Sequence, residues 1–202
     1  MNKVEVIDEN LLFSYGATRH DFLSSEVIFS EGDIPKYYYQ IMHGKVKLNH
    51  EDEEGREFIQ SILNPGQSVC ELLLFLDKSY PVNAVTLEDC SVIRLPKVNF
   101  FNLLDDHPRI SIDVNRFISG RLYQKFIIMQ HNSSINPKIR LKGVFDYFKS
   151  FSDDQTQYSY EVQLTRKQLA AITGLRVETV IRAIKRMEKE KFLILKNRKI
   201  FV

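Results

Sequence analysis

Through the first half of the chain, apolar positions come in short runs broken by turn residues. Phe22-Leu23, Val27-Ile28-Phe29 and Tyr37 to Met42 are such runs. Val46 and Leu48 alternate with Lys45 and Lys47, and Phe58-Ile59, Val82, Val85 and Val92-Ile93 follow. Ser30-Glu31-Gly32-Asp33, His43-Gly44, the acidic run Glu51–Glu54 with Gly55, and Pro65-Gly66 separate them, and Leu95-Pro96 closes the series. Short strands punctuated in this way predict an all-β sandwich or barrel over residues 1–106. The run at 51–54 fits a solvated hairpin tip.

The period then changes. Val98 to Leu104 predicts a short helix ending near Asp105-Asp106-His107-Pro108. After Pro108, which suits a first helical turn, Ile110, Val114, Phe117/Ile118, Leu122, Phe126 and Met129 recur at spacings of three or four. Ile112, Tyr123 and Ile127-Ile128 lie off this stripe. A helix apolar on more than one side can pack on its own β-domain and also on a partner helix. Val114, Ile118, Leu122 and Met129 are the candidate dimer positions, and a purely intramolecular core helix is the alternative. His131 to Pro137 is a polar hinge, followed by a helix expected from Lys138 to about Phe151.

Residues 164–202 carry the most specific pattern, LTRKQLAAITGLRVETVIRAIKRMEKEKFLILKNRKIFV. Thr165 followed by Gln168 is a capping box that starts a helix buried through Leu169 and Ile172. Gly174 stands where a tight inter-helix turn needs a left-handed residue. A second helix is expected from about Val177 to Lys189. Its inner face is Val180, Ile184 and Met187, and its outer face is Glu178, Ile181, Arg182 and Lys185. Phe192–Leu195 and Lys199–Val202 then flank Asn197-Arg198 as a basic-tipped hairpin. This order of parts predicts a winged helix-turn-helix, with a helical hairpin used only for packing as the alternative. On duplex DNA, Arg182 can donate twice to guanine, Glu178 can accept from cytosine or orient Arg182, and Val177 and Ile181 can meet a thymine methyl. Thr165, Arg166, Lys167, Arg176, Lys185 and Arg198 suit phosphate contacts, which position without specifying.

Charge sharpens this picture. Residues 1–134 carry 13 Lys+Arg against 19 Asp+Glu, a net −6, whereas residues 135–202 carry 15 against 7, a net +8. A basic C-terminal third suits a polyanion, or else is a solvated basic face. The apolar share of 44% supports a real core. No run of about 18 apolar residues predicts a membrane span, and the acidic start lacks a signal-peptide pattern. Cys70 and Cys90 sit among apolar neighbours without metal-type spacing, which fits buried free thiols in a cytoplasmic protein. No nucleophile–base–orienter set, metal cluster or phosphate loop is present, so an enzyme is not expected.

With these residues in hand, the chain resembles the family of the cyclic-AMP receptor protein and the fumarate–nitrate reduction regulator. The resemblance rests on chain length, the order of parts, the spacing of Gly32, Gly44, Gly55 and Gly66, and the segment 164–193, with Glu178, Thr179 and Arg182 at the family's reading positions. It implies an α+β chain: a cyclic-nucleotide-binding-like β-roll (a jelly roll) over 1–107, a long dimerisation helix and hinge over 108–134, and a winged helix-turn-helix over 135–202. It also implies a bacterial homodimer on a near-palindromic operator of double-stranded DNA, in contact with RNA polymerase. The alternative is a small-molecule sensor that acts through protein partners without DNA.

The family's effector cassette is altered. In GQSVCELLLFLDKSYPVNAV, residues 66–85, the ribose-binding glutamate is matched by Glu71, but Cys70 replaces the preceding Gly and Pro81-Val82 replace the phosphate-binding Arg-Ser pair. Proline and valine offer an anion no side-chain donor, so control by cyclic AMP in the usual way is not expected. Any effector pocket is expected beside Glu71, Tyr80, Pro81 and Val82, for an unknown small molecule or none. Two cysteines are too few for an iron–sulfur cluster. His20, His43, His50, His107 and His131 are scattered, so no cofactor is expected. Val177-Glu178-Thr179 is closer to the fumarate–nitrate branch and suggests a TTGA-like half-site. Ile181 and Arg176 depart from both branches.

Overall fold

The computed structural model describes residues 5–150 and 152–202. It divides into two compact units, one ending at Gly120 and the other running from Arg121 to Val202. The division falls inside the long helix rather than at either end of it.

The first unit opens with α1 (Glu9–Ser14), capped by Asp8, whose carboxylate accepts from Leu11 N at 3.0 Å. The strands are β1 (Thr18–Phe22), β2 (Val27–Phe29), β3 (Tyr37–His43), β4 (Val46–Glu51), β5 (Glu57–Leu63), β6 (Asn83–Thr86) and β7 (Cys90–Pro96). They form two antiparallel sheets, ordered β1-β7-β3 and β2-β6-β4-β5. A 3-10 turn, Glu71–Phe75, lies between β5 and β6, and α2 (Lys97–Asp106) follows β7.

Side chains alternate across a strand, and here both faces of β3 and β7 are covered. Tyr39, Ile41 and Val92 point into one core with Phe29, Val46, Leu48, Leu63, Tyr80 and Ala84. Tyr38, Ile93 and Leu95 point into the other, against Leu12, Phe100, Leu103, Leu104 and Val114. The Tyr38 and Phe100 rings stack with centroids 4.8 Å apart. The run Tyr37–Met42, apolar but for the buried Gln40, is thus covered from both sides.

The long helix α3 spans Pro108–Asn132. Its first turns belong to the β-unit core, where Val114 is buried and Ile110, Phe117 and Ile118 pack at the edge. Of the four expected dimer positions, Val114 is buried in this core and Ile118 is half-buried at its edge, whereas Leu122 and Met129 are exposed.

The second unit continues with α4 (Pro137–Lys149), β8 (Glu161–Val162), α5 (Arg166–Thr173), α6 (Val177–Lys189), β9 (Ile194–Lys196) and β10 (Lys199–Phe201). The expected end of α4 at Phe151 lies outside the described residues; Lys149 ends the helix. Leu141, Val144 and Phe145 of α4, Leu169 and Ile172 of α5, and Val180, Ile184 and Met187 of α6 are buried, as are Val162, Leu193 and Ile200. Gly143 lets α4 approach α3 closely, since a Cβ there would stand 2.4 Å from the His131 ring. Sequence patterning passed over α1 and β8. Six residues and two residues are too short to show a period, and β8 exists through pairing with β10, at Val162↔Ile200 and Glu161↔Phe201.

Candidate nucleic-acid interface

Helix α5 starts at a complete capping box. Thr165 Oγ accepts from Gln168 N at 3.1 Å, and Gln168 Oε1 accepts from Thr165 N at 2.8 Å. It ends at Gly174, whose φ of 66° is left-handed and whose N–H reaches Ala170 O. The chain re-enters a helix at Val177, where Arg176 takes the cap position without a side-chain cap bond. Side chains of Asn132 and of Arg140 on α4 tie the end of α5 to its neighbours. Asn132 Nδ2 donates to Ile172 O at 3.1 Å. The Arg140 guanidinium donates to Ser134 O at 2.6 Å and to Thr173 O at 3.1 Å. Neither residue carries a local sequence signal for this role, because each partner lies more than 30 positions away across the fold for all but the Ser134 contact.

Helix α6 sorts its side chains sharply. Val180, Ile184 and Met187 are buried, whereas Glu178, Ile181, Arg182 and Lys185 are exposed on the opposite side, Ile181 at 40%. Val177 is half-buried at the first turn. Among the described residues, no carboxylate pairs with Arg182 and no cation with Glu178. Both side chains are thus open to a ligand, and Glu178 does not orient Arg182 in this state.

The wing is a two-residue hairpin. Asn197 and Arg198 have φ of 50° and 65°, the pair of left-handed residues that a tight antiparallel turn requires. Arg166, one of the expected phosphate contacts, is partly buried, and its guanidinium donates to Arg198 O at 2.9 Å, bracing the wing turn. That burial lowers its pKa. Thr165, Lys167, Arg176, Lys185 and Arg198 are exposed.

A model described as a cyclic nucleotide-binding domain matches residues 19–107, and one described as a Crp-like helix-turn-helix domain matches residues 144–202. Together they span most of the chain, in this order. The chain belongs to the CRP/FNR family of DNA-binding transcription regulators. The cAMP-activated global transcriptional regulator CRP of Salmonella typhimurium is 26% identical over 178 residues, 86% of this chain and 84% of that one. The c-di-GMP responsive regulator CLP of Xanthomonas campestris superposes with a TM-score of 0.77 at 18% identity, covering 96% of this chain and 99% of that one. A lysophospholipase of Chaetomium globosum is 25% identical over 99 residues, 49% of this chain but only 6% of the lysophospholipase. Members of the CRP/FNR family are transcription factors, and this chain is not an enzyme.

Within this CRP/FNR β-roll, the four residues expected beside an effector pocket differ in exposure. Glu71 is 1% exposed, and Tyr80 and Val82 are core residues, while Pro81 faces solvent. The Tyr80 ring stacks on Phe29 at a centroid distance of 3.6 Å, and burial pushes its phenol up. Tyr38 is raised too, first by burial and then by the nearby charge of Glu71. A groove of about 490 Å³ takes Tyr80 as one wall, but its other walls are Ile28–Phe29, Gly32–Ile34, Lys36–Tyr37 and Tyr39 rather than Glu71, Pro81 or Val82. Phe29 of β2, Tyr39 of β3 and Tyr80 of the loop before β6 belong to one core of the roll. No helix among the described residues is long and apolar enough to cross a membrane.

Proposed function

We propose that this regulator works as a cytoplasmic homodimer on a near-palindromic operator and recruits RNA polymerase there. The second half of α3 supplies the seam, and paired α6 helices enter successive major grooves about 34 Å apart. The observation that carries the reading is the segregation on α6, where Glu178, Ile181, Arg182 and Lys185 are exposed opposite a fully buried face. Arg182 and Glu178 read base edges, Val177 and Ile181 meet thymine methyls, and Thr165, Lys167, Arg176, Lys185 and Arg198 contact phosphates. Arg166 serves the wing. Replacing Arg182 with Ala is expected to cost about 1–3 kcal/mol on an operator selected from a random library and to relax base choice at one position. An equal loss on every duplex would remove Arg182 from base reading.

Control by cyclic AMP in the family's usual way is not part of this reading. Pro81 and Val82 give a cyclic phosphate no side-chain donor, and Tyr80 and Val82 are packed in the core. Millimolar cyclic AMP is expected to leave the melting temperature and the operator affinity unchanged. A saturable rise in melting temperature would reverse this point, because a ligand that binds the native state must stabilise it.

A further inference from the structure

Beside the reading ridge of α6 lies a notch of about 350 Å³, walled by Asn136, Pro137 and Lys138 of the α4 start and by Thr179, Arg182, Ala183, Arg186 and Glu190. The α6 members fall at spacings of three and four, so they form one stripe, and Arg182 belongs both to this stripe and to the reading ridge. The notch carries three cations and one carboxylate. Glu190 holds two of the cations: Arg186 Nε donates to Glu190 Oε1 at 3.0 Å, and Lys138 Nζ donates to Glu190 Oε2. These bonds, Lys138 first and Arg186 second, hold the Glu190 carboxyl below its usual range. Arg182 has no such partner among the described residues.

We propose that this notch is a docking site for one backbone phosphate of duplex DNA, and that Glu190 occupies its two outer cations until the phosphate displaces it. Glu190 is then a brake on DNA affinity. The inference rests on the DNA-binding reading of α6 and adds a site to it. A ridge seated in a major groove about 12 Å wide has a phosphate backbone along each side. The notch borders the ridge, and its Lys138 and Arg186 are exchangeable because ion pairs this exposed are weakly held. On arrival, a phosphate oxygen accepts from Lys138 and Arg186, and the Glu190 carboxylate turns to water. Until then its like charge opposes the phosphate.

The test is Glu190→Gln in the full chain, which keeps the shape and removes the charge. Binding to a random-sequence duplex is measured across a salt series, with a thermal melt as the folding control. The variant is expected to bind about three- to tenfold more tightly, with a log–log salt slope steeper by about one, the signature of one further phosphate engaged. The gain is expected to be equal on operator and random duplex, since phosphates carry no sequence. Lys138→Ala is expected to lose more affinity in the Glu190→Gln background than in wild type, a coupling that a merely structural role for Glu190 would not produce. Unchanged or weaker binding by Glu190→Gln, with wild-type binding intact, overturns the notch alone. Wild-type protein that ignores duplexes overturns the notch and the DNA-binding reading together.

Discussion

A chain carrying Leu122→Glu and Phe126→Glu is expected to sediment as a monomer and to lose at least about a hundredfold in affinity for a two-half-site operator. The positions follow from what α3 leaves uncovered. Leu122, Tyr123, Phe126 and Met129 are 50%, 62%, 58% and 67% exposed, and 122, 126 and 129 recur at spacings of four and three, the seam of a coiled coil. Large apolar side chains in such a row suit a partner helix. Two glutamates per helix place four like charges on a paired seam. The loss on the operator is large because the second half-site is bound intramolecularly in a dimer, and that gain is worth roughly 10² to 10⁴ in affinity. Affinity for a single half-site should hardly change, since α6 is untouched. The melting temperature of wild type should depend on protein concentration, and that of the variant should not. A variant that remains dimeric in sedimentation would move the seam elsewhere.

The same helix shows how far patterning reaches. A sequence period reports which positions are apolar but not which apolar surface they meet. Val114 and Leu122 look equivalent in the stripe, yet Val114 is sealed into its own core and Leu122 is open. The difference is where the β-unit core ends along α3, and no local signal encodes that. On α6 the inference was direct. Buried and exposed positions there are set by one helix and its immediate neighbours, so Val180, Ile184 and Met187 could be separated from Glu178 and Arg182 by spacing alone. The capping box at Thr165 and the left-handed Gly174 were equally legible, because each depends on two or three adjacent residues.

Long-range side-chain bonds were not legible. The role of Arg166 in the wing turn joins positions 32 apart, and the Lys138–Glu190 pair joins positions 52 apart. In the sequence all of these are surface charges of a basic segment. The altered cassette sits between the two cases. The missing Arg-Ser pair was visible at Pro81-Val82, but the packing of Phe29, Tyr39 and Tyr80 into one core was not, since it depends on β2, β3 and a loop converging. Both observations bear on the same expectation: Pro81 and Val82 offer a cyclic phosphate no side-chain donor, and aromatic rings pack the core around Tyr80.

Gly44→Ala is expected to destabilise the β-unit by about 2–5 kcal/mol, a large part of the roughly 5–15 kcal/mol that holds a typical domain. Gly32, Gly44, Gly55 and Gly66 all have positive φ, between 72° and 90°, and each would bring some backbone strain with a side chain. Only part of the set lacks room as well. A Cβ at Gly32 or Gly55 meets nothing within 4 Å, whereas one at Gly44 would lie 2.4 Å from Cys90 Sγ, 2.6 Å from Asp89 O and 2.9 Å from Cys90 Cα. The crowding arises because the chain crosses from one sheet to the other here, leaving β3 at His43 and entering β4 at Val46. Leu87 N bonds to Lys45 O at 2.8 Å, which pins the corner against the turn that follows β6. The Cys90 thiol cannot swing away freely, since it lies 3.3 Å from Lys45 O and 3.1 Å from Glu88 O. Two of the three close atoms are backbone, so Cys90→Ala in the Gly44→Ala background should recover less than half of the lost stability. Gly55→Ala is the control, with strain but no clash, at about 1–2 kcal/mol. Denaturant melts of the three variants decide the matter: equal losses for Gly44→Ala and Gly55→Ala would mean that the corner relaxes and that close packing at Cys90 is not what demands glycine there.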